Sequence, residues 1–206
     1  MCIIYIFFIC FVIQLLIIYL KTTDFPMGKY LVIGNCSSCY PQNAHDIVKS
    51  FDGTVIVFNN NKTFVNCSKN IVMVNSNALI TERLFGITRK KEDFAKVPTV
   101  LLNDHMSIVS FHVFLSWMVL SLSGINTHIV SAFNNHISNK HILTTGLRII
   151  TTLLENSHNT VYYFGFQHTD TSQTAGKTLY HKLHNGDYEN RVLKKLRRTK
   201  RLIKIR

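Results

Sequence analysis

Short apolar runs that stop at glycine or asparagine recur along this chain. A run of about four to eight apolar residues that ends at a turn residue is typical of a strand buried on both faces. Such strands belong to parallel sheets, because helices cover both faces of those sheets. The runs are KYLVIGN (29–35), TVIVFNN (54–60), NIVMVNS (70–76), VPTVLLN (97–103) and NTVYYFGF (159–166). They predict an α/β fold with a mostly parallel sheet.

Segments with helical spacing of apolar residues alternate with these runs. They are QNAHDIVKSF (42–51), IVSFHVFLSWMVLSL (108–122), TTGLRIITTLLENS (144–157) and DYENRVLKKLRRTKRLIKI (187–205). The second segment is almost wholly apolar, but it has 15 residues and contains His112. We therefore interpret it as a core helix rather than as a membrane span. The alternation favours helices that cross over from one parallel strand to the next.

The N-terminal residues 1–20 carry no charge, and Gln14 is their single polar interruption. A helix of about 20 apolar residues is long enough to span the hydrocarbon core of a bilayer. A cleaved signal peptide usually has a shorter apolar core, basic residues before it and small residues at the cut. None of these is visible, so we predict an uncleaved transmembrane anchor over 1–20 and a short stem over 21–28, with a cleaved signal as the alternative.

The sequence leaves the orientation of this anchor open. Lys21 and Lys29 follow the apolar segment, and positive charges at that end weakly favour a cytoplasmic body. Asn61 and Asn66 begin glycosylation triplets, which would be used if the body lay in the lumen.

Basic charge is concentrated at the C terminus. The formal net charge is +12, yet residues 191–206 hold 9 Lys and Arg and no acid, which leaves 14 bases and 11 acids in residues 1–190. Because the body is nearly neutral, we expect no nucleic-acid partner. We interpret 191–206 as a solvated basic helix or tail, with contact to an anionic membrane or to nucleic acid as the alternative.

Polar residues at strand ends and at one helix start could bind a ligand. Gly34–Asn35, Asn59–Asn60 and Gly165 end predicted strands, and parallel sheets bind their ligands at such ends. Thr144–Thr145–Gly146 opens a helix, whose unpaired NH groups and dipole favour an anion such as a phosphate. Each signal alone is weak, because glycine and asparagine also end strands for reasons of turn geometry.

In this order the segments resemble the eukaryotic-type sialyltransferases, which share short motifs along one catalytic domain. YLVIGN and FDGTVIVFN are similar to the start and end of the large sialylmotif. LTTGLRIITTLLENSHNTVYYFGF is similar to the small sialylmotif. His184, four intervening residues and Glu189 match the very short C-terminal motif. The resemblance covers about residues 30–196, with an unmatched stretch in the middle.

The resemblance implies a GT-A-like fold: a single Rossmann-like sheet with flanking helices over 29–190, behind one N-terminal transmembrane helix. It also implies a single-pass Golgi or ER enzyme with a lumenal catalytic domain. Such an enzyme transfers sialic acid from CMP-sialic acid to a glycan acceptor, and it uses no metal ion or other cofactor. Its partners would be the nucleotide sugar, the acceptor glycan and, through residues 1–20, the membrane.

The resemblance also assigns roles to individual residues. Asn35 and Asn59 would contact the nucleotide. The cytidine phosphate side would be held by Thr144, Thr145 and Gly146. His184 would be the base that deprotonates the acceptor hydroxyl, which suits an imidazole near neutral pH. Helical spacing separately indicates that Glu189, five residues after His184, could orient or hold the segment that carries this base.

Two features differ from the pattern of the family. Val57 stands where the family usually has an arginine, and the cysteines of the body, Cys36, Cys39 and Cys67, all precede the small motif. The family, by contrast, links a cysteine of its large motif to one of its small motif. A catalytically inactive relative that binds a glycan or a partner is therefore an alternative function.

A second alternative is a thioredoxin-like thiol–disulfide membrane protein. Cys36 and Cys39 form a C-x-x-C motif directly after a predicted strand. Val97–Pro98–Thr99 is similar to the proline-threonine segment that lies opposite such a pair in thioredoxin-like folds. Whether the two cysteines pair is left open by the sequence. None of the ten histidines belongs to a recognisable ligand set, so we expect no metal site.

Overall fold

A computed structural model describes residues 25–58, 63–68, 70–75, 99–103, 111–130, 143–166 and 186–206, together with the isolated helical positions Tyr5 and Val12. In these residues seven strands form one sheet, and every neighbouring pair is parallel. They are β1 (Lys29–Ile33), β2 (Thr54–Phe58), β3 (Ile71–Asn75), β4 (Thr99–Asn103), β5 (Thr127–Val130), β6 (Thr160–Phe164) and β7 (Leu202–Lys204). The predicted α/β class with a parallel sheet is confirmed.

Helices pack on both faces of this sheet. They are α1 (Ala44–Ser50), α2 (Phe111–Leu122), α3 (Thr145–Glu155) and α4 (Gly186–Arg197), and a short 3-10 helix spans Ser37–Cys39. One hydrophobic core lies between the sheet and α1 and α2, and a second lies between the sheet and α3 and α4. Leu31 of β1 points into the first core and Val32 into the second. Because both faces of the sheet centre are buried, the central strands β1 and β2 are apolar along nearly their whole length rather than alternating.

The order of the strands determines where a ligand would sit. The sheet reads β5-β4-β3-β2-β1-β6-β7, so the chain moves outward from β1 to β5 and then resumes on the other side of β1 with β6. The carboxyl ends of β1 and β6 therefore flank the point where the strand order reverses. Open parallel sheets bind their ligands in the crevice at such a point.

The C-terminal segment differs from the predicted continuous helix over 187–205. Helix α4 ends at Arg197, and after a turn Leu202–Lys204 adds the edge strand β7 beside β6. Leu202 is 4% exposed and completes the second core, which stabilises the strand in an otherwise basic segment. The strand β5 and the 3-10 helix were also not predicted from the sequence.

Several predicted features lie outside the described residues. They include Asn59, Asn61, His184, residues 21–24 of the stem, and the anchor 1–20 apart from Tyr5 and Val12. No helix in the described part of the chain combines the length and the apolar character that a bilayer span requires.

Candidate functional site

Two glycines bring the chain together beyond the carboxyl ends of β1 and β6. The backbone NH of Gly34 donates to the carbonyl of Phe164 at 2.8 Å, and the NH of Cys36 donates to the carbonyl of Gly165 at 2.9 Å. A Cβ atom on Gly34 would overlap the carbonyl group of Gly165, which itself has a left-handed φ of 74°. The contact therefore requires both glycines. It holds the exposed Asn35 at the switch point of the sheet.

The turn after β1 is braced by Tyr40 and by a disulfide. The hydroxyl of Tyr40 donates to the carbonyl of Gly34 at 3.0 Å, and its ring packs against Phe164 with 5.6 Å between ring centroids. Cys36 and Cys39 are disulfide-bonded, with their Cα atoms 5.3 Å apart. The structure thus answers a question that the sequence left open, and it makes these two cysteines part of the same turn as Asn35.

The start of α3 packs against the residue that follows Gly165. A Cβ atom on Gly146 would overlap the ring of Phe166, so this glycine permits close approach. The Phe166 ring also lies edge-on to Phe58, at 6.4 Å between ring centroids, and to Tyr163, at 5.8 Å. Phe58 is the last residue of β2, directly before Asn59. Phe166 therefore connects the ends of β2 and β6 with the start of α3.

Glu189 of α4 contacts the residue that precedes α3. The backbone NH of Thr144 donates to Oε1 of Glu189 at 2.6 Å, and the hydroxyl of Thr144 donates to Oε2 at 3.2 Å. The side chain is 4% exposed. Burial raises the pKa of Glu189 above its ordinary value, while the hydrogen bonds from Thr144 act in the opposite direction.

The Thr144–Glu189 contact gives the backbone NH of Thr144 a partner within the chain, which the sequence did not predict. The sequence suggested that the NH groups at 144–146 would bind a phosphate, but the NH of Thr144 already binds a carboxylate from the same chain. A carboxylate is favoured at the start of a helix for the same reason as a phosphate, because unpaired NH groups and the helix dipole attract an anion. Glu189 of α4 thus binds the residue that precedes α3. Its expected role in holding the segment that carries His184 stays a prediction, because His184 is outside the described residues.

Arg148 is a buried cation close to this helix start that the sequence analysis missed. It lies one turn after Thr144, whose carbonyl accepts a hydrogen bond from the NH of Arg148 at 3.0 Å. The side chain is 1% exposed, and burial lowers the pKa of its guanidinium. A single base within the apolar face of TTGLRIITTLLE was the available signal. Among residues 145–155 it is the only cation.

The structure thus brings together four of the six predicted site residues at one end of the sheet: Asn35, Thr144, Thr145 and Gly146. Asn59 and His184 are outside the described residues. Phe58 directly precedes Asn59, and Glu189 follows His184 by five positions. Within the described ranges, no group of three or more His, Cys, Asp and Glu side chains could hold a metal ion.

No family model and no curated protein sequence matches the chain. The chain is similar to a solved structure, the crystal structure of alpha-2,3-sialyltransferase from Campylobacter jejuni in apo form. The similarity has 13% sequence identity and a TM-score of 0.49, and it covers 86% of this chain and 74% of that one. At that identity no residue role is transferred from one protein to the other.

The thioredoxin-like alternative requires the segment around Thr99 to lie opposite the Cys36–Cys39 pair. Thr99, which follows Pro98, begins β4, and β3 and β2 separate that strand from β1. Because the strands are parallel, Thr99 lies at the amino end of the sheet, whereas Cys36 lies beyond the carboxyl end of β1. The structure therefore does not bring Thr99 and the disulfide together.

Proposed function

We propose that this chain is a membrane-anchored, sialyltransferase-like glycosyltransferase that transfers sialic acid from CMP-sialic acid to a glycan acceptor without a metal ion. One observation carries the proposal: segments that resemble three motifs of that family meet at the switch point of the sheet. Gly34 belongs to the first segment, Gly146 and Phe166 to the second, and Glu189 to the third. Positions 34 and 189 are far apart in sequence, so their convergence depends on the fold.

The nucleotide would bind at the carboxyl ends of β1 and β2. Asn35 is exposed beside the Gly34–Gly165 contact, and an asparagine amide can both donate to and accept from a base or a ribose. Asn59 would contribute the same chemistry from the end of β2. Thr145 and Gly146 would face the phosphate at the start of α3, where the helix dipole stabilises the negative charge of the leaving CMP.

His184 would act as the general base. It precedes Gly186, the first residue of α4, by two residues, a span of at most about 7 Å. Because Glu189 in the first turn of α4 binds Thr144, this covalent limit supports a base near the start of α3. A neutral imidazole would take the proton of the acceptor hydroxyl as that oxygen attacks the sialic acid, while the bond to CMP breaks.

Anchoring through residues 1–20 and a lumenal body in the Golgi or ER complete the proposal. Asn66, the first residue of one glycosylation triplet, is exposed in the structure, which suits modification in the lumen. Resistance of the full-length chain to carbonate extraction and a mobility shift on endoglycosidase treatment are the expected results. Full release into the soluble fraction would contradict the anchor.

A transfer assay tests the proposed reaction. Purified full-length protein is incubated with CMP-sialic acid and a panel of acceptor glycans in the presence of a chelator, and the release of CMP is measured. We expect acceptor-dependent CMP release by the wild type and its loss in His184→Ala, since a general base typically contributes about 10²–10⁴ in rate. Equal transfer by His184→Ala near neutral pH would contradict the assignment of the base. Binding of CMP without transfer would instead identify an inactive relative.

The observed disulfide supports one second candidate, thiol–disulfide exchange by Cys36 and Cys39. In that case reduction of the pair by a thiol should be reversible, and the double variant Cys36→Ser, Cys39→Ser should abolish reductase activity toward a disulfide substrate. Absence of such activity in the wild type would remove this candidate.

A further inference from the structure

The basic C-terminal segment is folded onto the sheet domain and is not a free tail. Leu193 of α4 and Leu202 of β7 are both buried in the second core. Between them, one terminal nitrogen of the Arg201 guanidinium donates to the carbonyl of Asn156 at 2.7 Å, and the other donates to the carbonyl of Leu154 at 2.9 Å. The cations of α4 are therefore held in a fixed arrangement on the surface.

The outer side of α4 carries a stripe of exposed cations. The inner side of this helix packs against the domain through Glu189, Leu193 and Leu196. At 100° per residue, four exposed bases fall within a sector of about 100° that is centred opposite these three residues. We call these bases the basic stripe: Arg191, Lys194, Lys195 and Arg198. Because a helix rises 1.5 Å per residue, the stripe is about 10 Å long.

Few acids are available to neutralise the basic stripe. Residues 191–206 hold 9 Lys and Arg and no acid. Helix α3 lies beside α4 in the second core, and Glu155 is the single acid in residues 145–155. Arg197 and Lys200 are also exposed and extend the positive charge beyond the stripe. A run as rich in bases as KKLRRTKR (194–201) is typical of surfaces that bind nucleic acids or heparin-like glycans.

The composition of the segment favours an acidic glycan over a nucleic acid. Proteins that bind single-stranded nucleic acids stack the bases on aromatic side chains, and residues 191–206 contain no Phe, Tyr or Trp. The proposed lumenal body would also meet glycans rather than nucleic acids. The four cations lie in one line on a single helix, which suits an extended polymer with charges along its length.

We propose that the basic stripe binds a sulfated linear glycan of the glycosaminoglycan type. Arginine and lysine donate charge-assisted hydrogen bonds to anionic oxygens such as those of sulfate esters and carboxylates. A chain that carries several such groups can contact all four cations at once, which a single anion cannot. The choice of partner rests on the proposed lumenal body, and the inference does not depend on the proposed reaction.

Equilibrium binding of a short heparan sulfate oligosaccharide to the full-length protein tests the basic stripe. The protein is kept in neutral detergent micelles at about 0.15 M salt, where charges more than about 8 Å apart are largely screened. The test variant is Lys194→Gln, Lys195→Gln. The matched control is Lys29→Gln, Lys49→Gln, which removes the same net charge from two exposed lysines. Lys49 lies on α1, and Lys29 lines a cavity with Phe51, directly after α1, so both control positions lie on the α1 side of the sheet, opposite α4.

We expect the wild type and the control variant to bind the oligosaccharide with similar Kd values. The test variant should bind about tenfold more weakly, because it loses two exposed ion pairs and each contributes modestly. A desulfated chain of the same length should bind weakly to all three proteins. Absence of binding by the wild type, an equal loss in both variants, or equal binding of the desulfated chain would overturn the proposal. Tighter binding of a DNA duplex of equal charge would assign the stripe to nucleic acid.

A second measurement on the wild type needs no variant. Bound oligosaccharide should slow the acetylation of Lys194 and Lys195, read by mass spectrometry, and should leave the rate at Lys49 unchanged. An equal effect at all three lysines, or none, would overturn the proposal even if a variant failed to fold. The response to CMP tests the proposed function separately, so glycan binding by a protein that does not bind CMP would contradict the reaction and leave this inference intact.

Discussion

The carboxylate of Glu189 binds both the backbone NH and the hydroxyl of Thr144, at 2.6 and 3.2 Å. Thr144 makes no side-chain cap bond to its own helix, so the carboxylate from α4 provides an anionic partner at the helix start. The two residues are 45 positions apart, and their contact connects α4 to the start of α3. It thereby links the segment that follows His184 to the proposed nucleotide site.

Removal of the Glu189 side chain should destabilise the domain. In Glu189→Ala the NH of Thr144 loses its partner in a buried place, and such a loss typically costs about 1–3 kcal/mol. Glu189→Gln keeps an acceptor oxygen and should be much less harmful. Thermal unfolding of both variants gives the comparison, with a shift of about 2–4 °C expected for each kcal/mol in a domain of this size. Equal stability of Glu189→Ala and the wild type would contradict the role of the contact.

The pH dependence of stability should report the raised pKa of Glu189. Burial places the pKa of the folded state above that of the unfolded state, so the folded protein binds the proton more tightly. The resulting stabilisation is fully present below the unfolded pKa and is lost as the pH rises through the folded pKa. The stability of Glu189→Gln relative to the wild type should therefore increase over that interval. A relative stability that falls as the pH rises would show that the carboxylate form is preferred.

The Gly165 backbone should tolerate no side chain, and Gly124 is its matched control. Both have a left-handed φ, 74° and 76°, but a Cβ atom on Gly165 would press on the Tyr40 ring and on Gly34, whereas nothing lies within 4 Å at Gly124. Gly124→Ala should cost about 1–2 kcal/mol for its backbone conformation. Gly165→Ala should cost about 1–3 kcal/mol more, through overpacking. Denaturant unfolding measures both, and equal losses would contradict the close contact.

Replacement of Arg201 should destabilise the domain far more than replacement of the nearby Arg198. Its guanidinium binds the carbonyls of Leu154 and Asn156 at the end of α3, whereas Arg198 is exposed. Arg201→Ala should cost about 1.5–3 kcal/mol, as expected for hydrogen bonds from a charged group. Arg198→Ala should remain within about 0.5 kcal/mol of the wild type. Similar unfolding midpoints for the two variants would show that the C-terminal segment is not held by this arginine.

The sequence predicted the strands that lie in long apolar runs, and it missed β7, which is short and mostly exposed. All of β1 from Tyr30 to Ile33 is buried, so its run of apolar residues was visible without a structure. In β7 only Leu202 is buried, and the surrounding bases made the segment look like the end of an amphipathic helix. A single buried side chain such as Leu202 produces no recognisable sequence periodicity. Pairing with the neighbouring strand, rather than the local sequence, decides that this segment is a strand.

The local turns and the helix start around the candidate site could be predicted from the sequence, but the contacts between them could not. The turn residues after β1 and before α3 follow local rules of strand ends and helix starts, which a sequence displays. The Thr144–Glu189 pair and the close approach of Phe166 to Gly146 depend on residues far apart in the chain. No periodicity in the sequence encodes such pairings, and only the fold reveals them.

The disulfide should be dispensable for nucleotide binding if the proposed reaction is right. The double variant Cys36→Ser, Cys39→Ser keeps the backbone bond from residue 36 to the carbonyl of Gly165, which helps to hold the turn. For so short a loop, the chain-entropy estimate gives a stability loss of about 2 kcal/mol. CMP affinity, measured by calorimetry below the unfolding temperature, should be unchanged. Loss of CMP binding in a folded double variant would show that the disulfide shapes the site.

The central claim is tested most directly by thermal unfolding of the full-length protein in the presence of CMP. A ligand that binds only the native state stabilises it by about 2.7 kcal/mol at a hundredfold excess over Kd, or about 5–10 °C for a domain of this size. We predict this shift for the wild type and for His184→Ala, and a much smaller one for Asn35→Ala, which loses a proposed nucleotide contact. The absence of any shift in the wild type at millimolar CMP would contradict the proposed function.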